Sequence, residues 1–456
     1  AKMIEMTLEN VAKSVNGTLN KAAERQALEM IKGVSIDTRT IQAGNLFIPF
    51  LGEHVDGHKF IDMAFDKKAS ASLSEHHEDL ERDVPIILVE DGLIALQKLS
   101  QVYLNEVNPK VVAITGSNGK TTTKDMIECV LTPYFKVQKT IGNFNNEIGL
   151  PLTILQLNKD TEVSILEMGM DQTGDIDFLS QLTEPSVAVI TNVGESHIEK
   201  LGSREAIARG KFEIVNGLKK DGTFIYNGDY PRLNELIDHA APYKQMNAGT
   251  ADTNDFVVSN VKQTSEGTSF SMTGITEEIH IPQLGAHNAQ NAALALLVAQ
   301  TLGISLDEAQ KHFANLKVTD MRMQQMTLAS GALLINDSYN ASVSSMNSAL
   351  DSIATIDSDR RIVVLADILE LGSYTEELHK QVGAHINTLG HSISEVITFG
   401  DRAKYIHDTV EQTRKQHMRS IQEIVSHLQG YLGDSTVILL KGSRGMQLER
   451  IIEMLE

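Results

Sequence analysis

Residues 113–123 read Ala-Ile-Thr-Gly-Ser-Asn-Gly-Lys-Thr-Thr-Thr, a segment that leaves the chain few folds to choose from. A short apolar strand, Val111-Val-Ala-Ile114, enters a glycine turn and leaves it in a helical pattern from Thr121 to Leu131. Backbone N–H groups of Gly116, Ser117, Asn118 and Gly119 can wrap a phosphate there. Lys120 can reach the β- and γ-phosphates of a nucleotide, the Thr121 hydroxyl can hold Mg²⁺, and Thr122 completes the expected nucleotide contacts. The helix adds the positive end of its dipole. A chance Gly-Lys-Thr turn is the bland alternative, disfavoured by the strand before it and the helix after it. The loop departs from G-x-x-x-x-G-K-[ST] because Ile114 stands where the first glycine belongs. With no Asn-Lys-x-Asp guanine motif either, an ordinary GTPase or kinase is weakened.

Around this strand and helix lie 456 residues, enough for roughly three domains. The expected fold class is α/β, from alternating strands and helices. Residues 1–108 form a mixed stretch of short strands and helices. From 109 to 316, apolar strands such as Val163 to Leu166 and Val187 to Ile190 alternate with helices near Ile176 and Ser203, which predicts a mostly parallel sheet. Phe256 to Ile281 suggests an antiparallel addition, and Asn288 to Leu302 a closing helix. From 317 to 456 a second α/β series follows, with strands at Leu333–Ile335, Ile362–Leu365, Val396–Thr398 and Val437–Leu440. Asn108-Pro109 marks the first boundary, since a residue before proline resists helix.

Sixty acidic against forty basic residues give a net charge of −20. Such a chain lacks the electrostatic footprint of a nucleic-acid binder and avoids anionic membranes. One cysteine, Cys129, excludes an intramolecular disulfide and a cysteine-built zinc site; it reads as a small core residue. No apolar run reaches transmembrane length and no secretory leader is visible. A soluble, cytoplasmic monomer is the expectation.

Phosphoryl chemistry needs further positive charge, and Mg²⁺ takes hard oxygen ligands. Glu167 ends the strand Val163 to Leu166, where open α/β sheets place their ligands; the alternative is a strand-end glutamate facing solvent. His197 falls on a loop after the next strand, and a lone histidine there is as readily structural as a ligand. Lys211, on a predicted helix, reads from composition alone as a surface lysine.

At this point the pattern resembles the Mur ligase family, the ATP-dependent amide-forming enzymes of peptidoglycan synthesis. The matching elements are Thr115 to Thr122, Glu167-Met-Gly169, Thr191-Asn192 with His197, Gly285-Ala-His-Asn-Ala-Gln-Asn-Ala292 and Asp337-Ser-Tyr-Asn340. They recur in family order over essentially the whole chain. The resemblance implies an N-terminal mixed α/β UDP-sugar-binding domain, a central P-loop ATPase-like domain and a C-terminal Rossmann-like domain. It also implies ATP, and Mg²⁺ held by Thr121, Glu167, His197 and Lys211. Lys211 matches a lysine carbamylated by CO₂, which turns a cation into an anionic oxygen ligand. Asn288 and Asn291 match residues near adenine, Asp337 one near ribose, and Arg322 an arginine that reaches the γ-phosphate.

Within the family, Asp37-Thr-Arg39, Gly52 and Asp56-Gly-His58 resemble the nucleotide-sugar module of the later enzymes, so Thr38, Arg39, Asp56 and His58 are expected at substrate. Gly142 to Thr153, which carries Asn143, Asn145 and Asn146, points to the ligase that acts last, as do Leu365 to Gly372 with His379, and Lys441-Gly-Ser-Arg-Gly-Met446. Asn340 joins the substrate set. The implied partners are UDP-N-acetylmuramoyl-tripeptide and D-alanyl-D-alanine. Three sites depart from the family pattern: Ala366 for glycine, Ser342-Val343 for Asn-Pro, and Gly210 for alanine. The rival readings are another ligase of the same superfamily, such as a folylpolyglutamate synthetase, and a P-loop ATPase switch that forms no bond.

Overall fold

The structure, a computed structural model, describes residues 2–51, 55–194, 202–264, 266–317 and 322–455. It divides into two compact units. One is Ala1–Ala113 with Tyr134–Gly169 and Asp177–Ser186; the other is Ile114–Pro133 with Met170–Ile176 and Val187–Glu456. Sheets of five, nine and six strands, mostly parallel, carry the chain, beside a two-stranded antiparallel pair.

In the first unit, helix Leu8–Val15 buries Leu8, Val11, Ala12 and Val15, the i, i+3, i+4, i+7 stripe of an amphipathic helix. Thr7 caps its start and left-handed Asn16 ends it. The five-stranded sheet runs Thr18–Leu19, Ile86–Leu88, Ala71–Ser74, Leu46–Phe47, Val34–Ser35, parallel except at the first pair. Phe47, Ile61, Ala64 and Ile86 form a core cluster beside it. Helix Gly92–Val107 starts on the Asp91 carboxylate, which accepts from Leu93 and Ile94 N–H, and stops at Asn108 with φ 54°. Pro109 then has no N–H to continue it. Strand Val163–Glu167 is buried at every position and pairs in parallel with Val137–Lys139.

In the second unit, Val187–Ile190, Thr223–Asn227, Lys244–Gly249 and Phe256–Thr264 pair in parallel succession. Gly267–Met272 and Ile275–Ile281 then add antiparallel strands, as expected for that stretch. Helix His287–Thr301 is buried on nearly all sides and packs on the phosphate-loop helix Lys120–Leu131; its alanines allow that close approach. The six-stranded sheet has the order Gln324–Thr327, Leu333–Asp337, Thr436–Lys441, Arg360–Ala366, Glu395–Phe399, Arg414–Met418, with only the first pair antiparallel. Ile362 and Val364, like Ile438 and Leu440, share one face and pack with Ile424, Leu428 and Ile451. No helix among the described residues is long and apolar enough to cross a membrane.

Cys129 differs from its expected place in the core: it is half-buried, and its Sγ donates to the His312 carbonyl at 3.0 Å. Burial, with help from the Glu128 charge, pushes its thiol up to about 11. At pH 8 the thiolate is then roughly one part in a thousand. Alkylation by iodoacetamide should run on the order of 10²-fold slower than for free cysteine, whose thiol titrates near 8.5; intact mass against time checks this, and a free-cysteine rate would contradict it.

Candidate active site

The phosphate loop follows strand Lys110–Thr115 and feeds helix Lys120–Leu131. Gly119 caps that helix at φ 75°, and a Cβ there would lie 2.8 Å from Asn291 Nδ2. A Cβ on Gly116 would collide with Thr191 Oγ1. Both positions therefore need glycine. Thr191 and Asn192 hold the loop in shape. Asn192 Oδ1 accepts from Asn118 N–H at 2.8 Å, and the Asn118 carbonyl accepts from Asn192 Nδ2 at 2.8 Å and Thr191 Oγ1 at 2.7 Å. Gly194 N–H donates to Ser117 Oγ at 2.7 Å. The Asn118 side chain reaches the start of helix Val343–Thr355: its Nδ2 donates to Ser344 Oγ at 2.7 Å, and its Oδ1 accepts from Ser342 Oγ at 2.8 Å. Thr191 and Asn192, present in the family pattern, thus act as a clamp on the loop, a role that their spacing in the sequence does not reveal.

Lys211 corrects the composition-based reading as a surface lysine. It lies on helix Arg204–Phe212, capped by Ser203, and is 1% exposed. Burial first, then the charge of Lys120, hold its amine well below the usual lysine range. Gly210 before it, where the family pattern has alanine, has its own reason: a Cβ would meet Met170 Sδ at 2.6 Å. In the other unit, Glu167 is 1% exposed at the end of its strand, and its N–H donates to Thr140 Oγ1 at 3.0 Å. The alternative of a solvent-facing glutamate is therefore wrong. His197 lies outside the described residues, as does Gly52.

Arg322 Nη2 donates to Thr121 Oγ1 at 3.0 Å, and its guanidinium lies 4.0 Å from the centroid of the Tyr339 ring. An arginine 201 positions downstream thus rests on the hydroxyl expected to hold Mg²⁺. Asp337 ends strand Leu333–Asp337 with its carboxylate engaged on both oxygens, by Met323 N–H at 3.0 Å and by Lys441 Nζ at 2.8 Å. Lys441 Nζ also donates to the Asn340 carbonyl at 2.9 Å. These groups, with Lys120, Thr122 and His287, line a cavity of about 50 Å³. His287 belongs to the matched segment Gly285 to Ala292. Burial pushes its imidazole down to about 4 against the pull of Asp337, and its Nδ1 is enclosed without a partner. It stays neutral at physiological pH. Asn288 and Asn291 sit at the start of helix His287–Thr301: Asn288 Nδ2 donates to the Leu284 carbonyl, and Asn288 Oδ1 accepts from Asn291 Nδ2 at 2.9 Å. Their amides so far serve the helix end, beside Gly119.

The expected substrate residues of the first unit divide. Thr38 is buried in the turn Thr38–Thr40, while Arg39 is exposed and chelates Asp37, at 2.8 Å for Nη2 to Oδ2. That guanidinium and the Arg39 N–H hold the Asp37 carboxyl below its usual range. His58 is 4% exposed with both ring nitrogens engaged, Nδ1 on Asp56 Oδ1 at 2.7 Å and Nε2 accepting from Glu75 N–H at 2.9 Å. It stacks on His76 at 4.0 Å. Asp56, His58 and His76 are close enough to suggest a metal site, but the engaged nitrogens of His58 argue for a loop brace instead. Asn146 Oδ1 caps helix Gly149–Leu155 by accepting from Gly149 N–H at 2.7 Å, and the Asn145 carbonyl accepts from Gly169 N–H at 2.9 Å. The Asn143 carbonyl accepts from Asn145 N–H at 2.8 Å. The same unit holds a cavity of about 730 Å³, lined by Asp37, Gln42, Asn45, Lys139, Phe144 and Ser164 among others. Asp37 comes from the Asp37-Thr-Arg39 segment, and Phe144, Leu152 and Thr153 from Gly142 to Thr153.

Comparison with known proteins extends over the whole chain. The Mur ligase middle domain matches residues 114–299, the Mur ligase glutamate ligase domain 321–444, and the Mur ligase family catalytic domain 30–115. The UDP-N-acetylmuramoyl-tripeptide–D-alanyl-D-alanine ligase of Bacillus subtilis is 42% identical, across 99% of this chain and 98% of its own length. The Escherichia coli enzyme of the same name is 32% identical, across 100% and 99%. Among solved structures, MurF ligase from Thermotoga maritima in complex with ADP is 28% identical with a TM-score of 0.84, covering 93% of this chain and 97% of that one. MurF from Acinetobacter baumannii has a TM-score of 0.91 at 25% identity, covering 100% and 99%. Three domain matches in order, a shaped phosphate loop and a buried lysine beside it leave one conclusion: this chain belongs to the Mur ligase family.

Proposed function

We propose that the chain joins D-alanyl-D-alanine to UDP-N-acetylmuramoyl-tripeptide with ATP, in peptidoglycan precursor synthesis. Full-length likeness to ligases of that name supports the substrates. The observation that supports the chemistry is the enclosed, weakly basic amine of Lys211 next to Lys120. A neutral amine is what attacks the carbon of CO₂; with loss of a proton the product is a carbamate, an anionic oxygen donor in a place where an ammonium is unwelcome. The family resemblance assigns Thr121, Glu167, His197 and a carbamylated Lys211 to Mg²⁺, and hydroxyl, carboxylate and carbamate oxygens are the hard donors that this ion prefers. Bound there, the ion would offset charge on the transferring phosphoryl group.

The chain's own groups do the rest. Gly116 to Thr122 cradle the ATP phosphates; Lys120 and Arg322 face the γ-phosphate, with Arg322 leaving the Thr121 hydroxyl as nucleotide arrives. A tripeptide carboxylate oxygen attacks the γ-phosphorus, ADP departs and an acyl phosphate remains. The dipeptide amine, having lost its proton, attacks the acyl carbon; the tetrahedral adduct collapses to the amide and inorganic phosphate. Asn288, Asn291 and Asp337 are assigned to adenine and ribose, Asn340 with the first-unit residues to the substrate. The large first-unit cavity suits the nucleotide-sugar end. Domain limits at 108 and 316, a cytoplasmic location and a monomer belong to the same reading.

The test is ADP release in the presence of UDP-N-acetylmuramoyl-tripeptide with D-Ala-D-Ala, L-lysine or glutamate as acceptor. Turnover should depend on D-Ala-D-Ala and yield the pentapeptide. ADP release indifferent to every acceptor would favour a nucleotide switch, and preference for another amine would move the chain elsewhere in its family.

A further inference from the structure

One cation next to the phosphate site has no work in the scheme above. Strand Thr436–Lys441 delivers its carboxyl end to Gly442-Ser-Arg444, and open α/β sheets bind ligands beyond the carboxyl ends of their strands. Lys441 is buried and committed to Asp337 and Asn340. Ser443 is tied on both sides, its N–H donating to the Asp367 carbonyl at 3.0 Å and its Oγ accepting from Leu369 N–H at 2.9 Å. These bonds fix the turn Arg444–Met446, whose arginine stands exposed. Its guanidinium carbon lies 4.8 Å from the centroid of the Tyr339 ring, the ring that Arg322 covers at 4.0 Å.

Tyr339 thus carries two guanidinium groups. One reaches Thr121 in the phosphate loop. The other makes no ion pair with any described residue. Two like charges on one ring repel, and an aromatic face offsets only part of that cost. The arrangement is complete when each cation meets an anion. Arg322 has the phosphoryl group. The ligase reading, on which this inference rests, supplies a second anion of defined reach, because a dipeptide acceptor carries a carboxylate at the end opposite its attacking amine. Two extended residues span about 7 Å, a reach compatible with two guanidinium groups that lie 4.0 and 4.8 Å from one ring centroid.

We propose that Arg444 binds the free carboxylate of the acceptor dipeptide and so sets its register against the acyl phosphate. A planar fork suits a carboxylate bidentately. The arginine selects an acceptor by its free carboxyl end; a single amino acid would place its amine short of the acyl carbon.

Steady-state kinetics of wild type, Arg444→Gln and Arg444→Lys, with D-Ala-D-Ala and with its C-terminal amide, tests this. For D-Ala-D-Ala, Arg444→Gln should raise KM roughly 10- to 100-fold, the scale of one hydrogen-bonded charge contact, with KM for ATP unmoved. Arg444→Lys should recover part of the loss. The amide should be a poor acceptor for wild type to a similar extent, and Arg444→Gln should worsen it no further. An unchanged KM for the dipeptide, an equal penalty with the amide acceptor, or a rise confined to KM for ATP would each overturn the assignment. Those failures differ from failure of the ligase reading, in which wild type itself ignores D-Ala-D-Ala.

Discussion

Replacing Lys211 with alanine is expected to lower kcat on the order of 10²-fold or more, the scale of losing one preorganised charge stabiliser. The side chain is enclosed, so truncation to alanine also opens a cavity. Lys211→Met separates the two effects, since it keeps most of the volume and discards the amine. If the amine acts as carbamate, both variants lose turnover alike while the methionine variant keeps its melting temperature. Stability against pH supplies a second readout in CO₂-free buffer. Between the lowered folded pKa and the ordinary lysine value, the amine is neutral when folded and protonated when unfolded, so there the unfolded chain binds the extra proton. Wild-type stability should therefore rise with pH from the lowered folded value up to about 10.4, and the methionine variant should lack that slope. Carbon-13 NMR with labelled bicarbonate should show a carbamate resonance in wild type and none in Lys211→Met. A kcat within a few-fold of wild type in both variants would remove Lys211 from the chemistry.

The burial that gives Lys211 its properties was not legible in its neighbours. Arg209-Gly-Lys-Phe-Glu carries no apolar stripe that hides a lysine, and only the family resemblance singled it out. Elements with strong local patterns were legible: Val187–Ile190 falls on the expected residues, and the phosphate-loop and alanine-rich helices lie within a residue of theirs. Polar edge strands were not. Gln324–Thr327 and Arg414–Met418 have Gln, Arg, Lys and His where a strand signal needs alternation, and they exist because neighbouring strands offer free hydrogen-bonding edges. Lys244–Gly249 was missed for a like reason, its register being set by Thr223–Asn227. At the site, the residue types were readable while their partners were not. Nothing near residue 322 announces Thr121, 201 positions earlier, and nothing near His58 announces that Glu75 and Asp56 occupy both its nitrogens.

Asp337 is the residue where the two kinds of reading diverge in a measurable way. A ribose ligand would cost affinity for ATP when removed and leave the fold alone. The structure adds a structural duty: the carboxylate faces Lys441 at 2.8 Å, with the lysine 4% exposed and the aspartate 8%. Removing one partner of a buried ion pair leaves an uncompensated charge and typically costs about 3–5 kcal/mol. Asp337→Ala should therefore lower the melting temperature by roughly 10 °C, taking about 2–4 °C per kcal/mol for a domain of this class. Adding Lys441→Met to it removes the stranded ammonium and should recover much of the loss, because replacing both members of such a pair with apolar groups is often nearly neutral. KM for ATP then separates the roles. Recovery of stability without recovery of KM means Asp337 also serves the nucleotide; recovery of both confines it to the sheet end, where it anchors the loop that carries Tyr339 and, through that ring, both arginines.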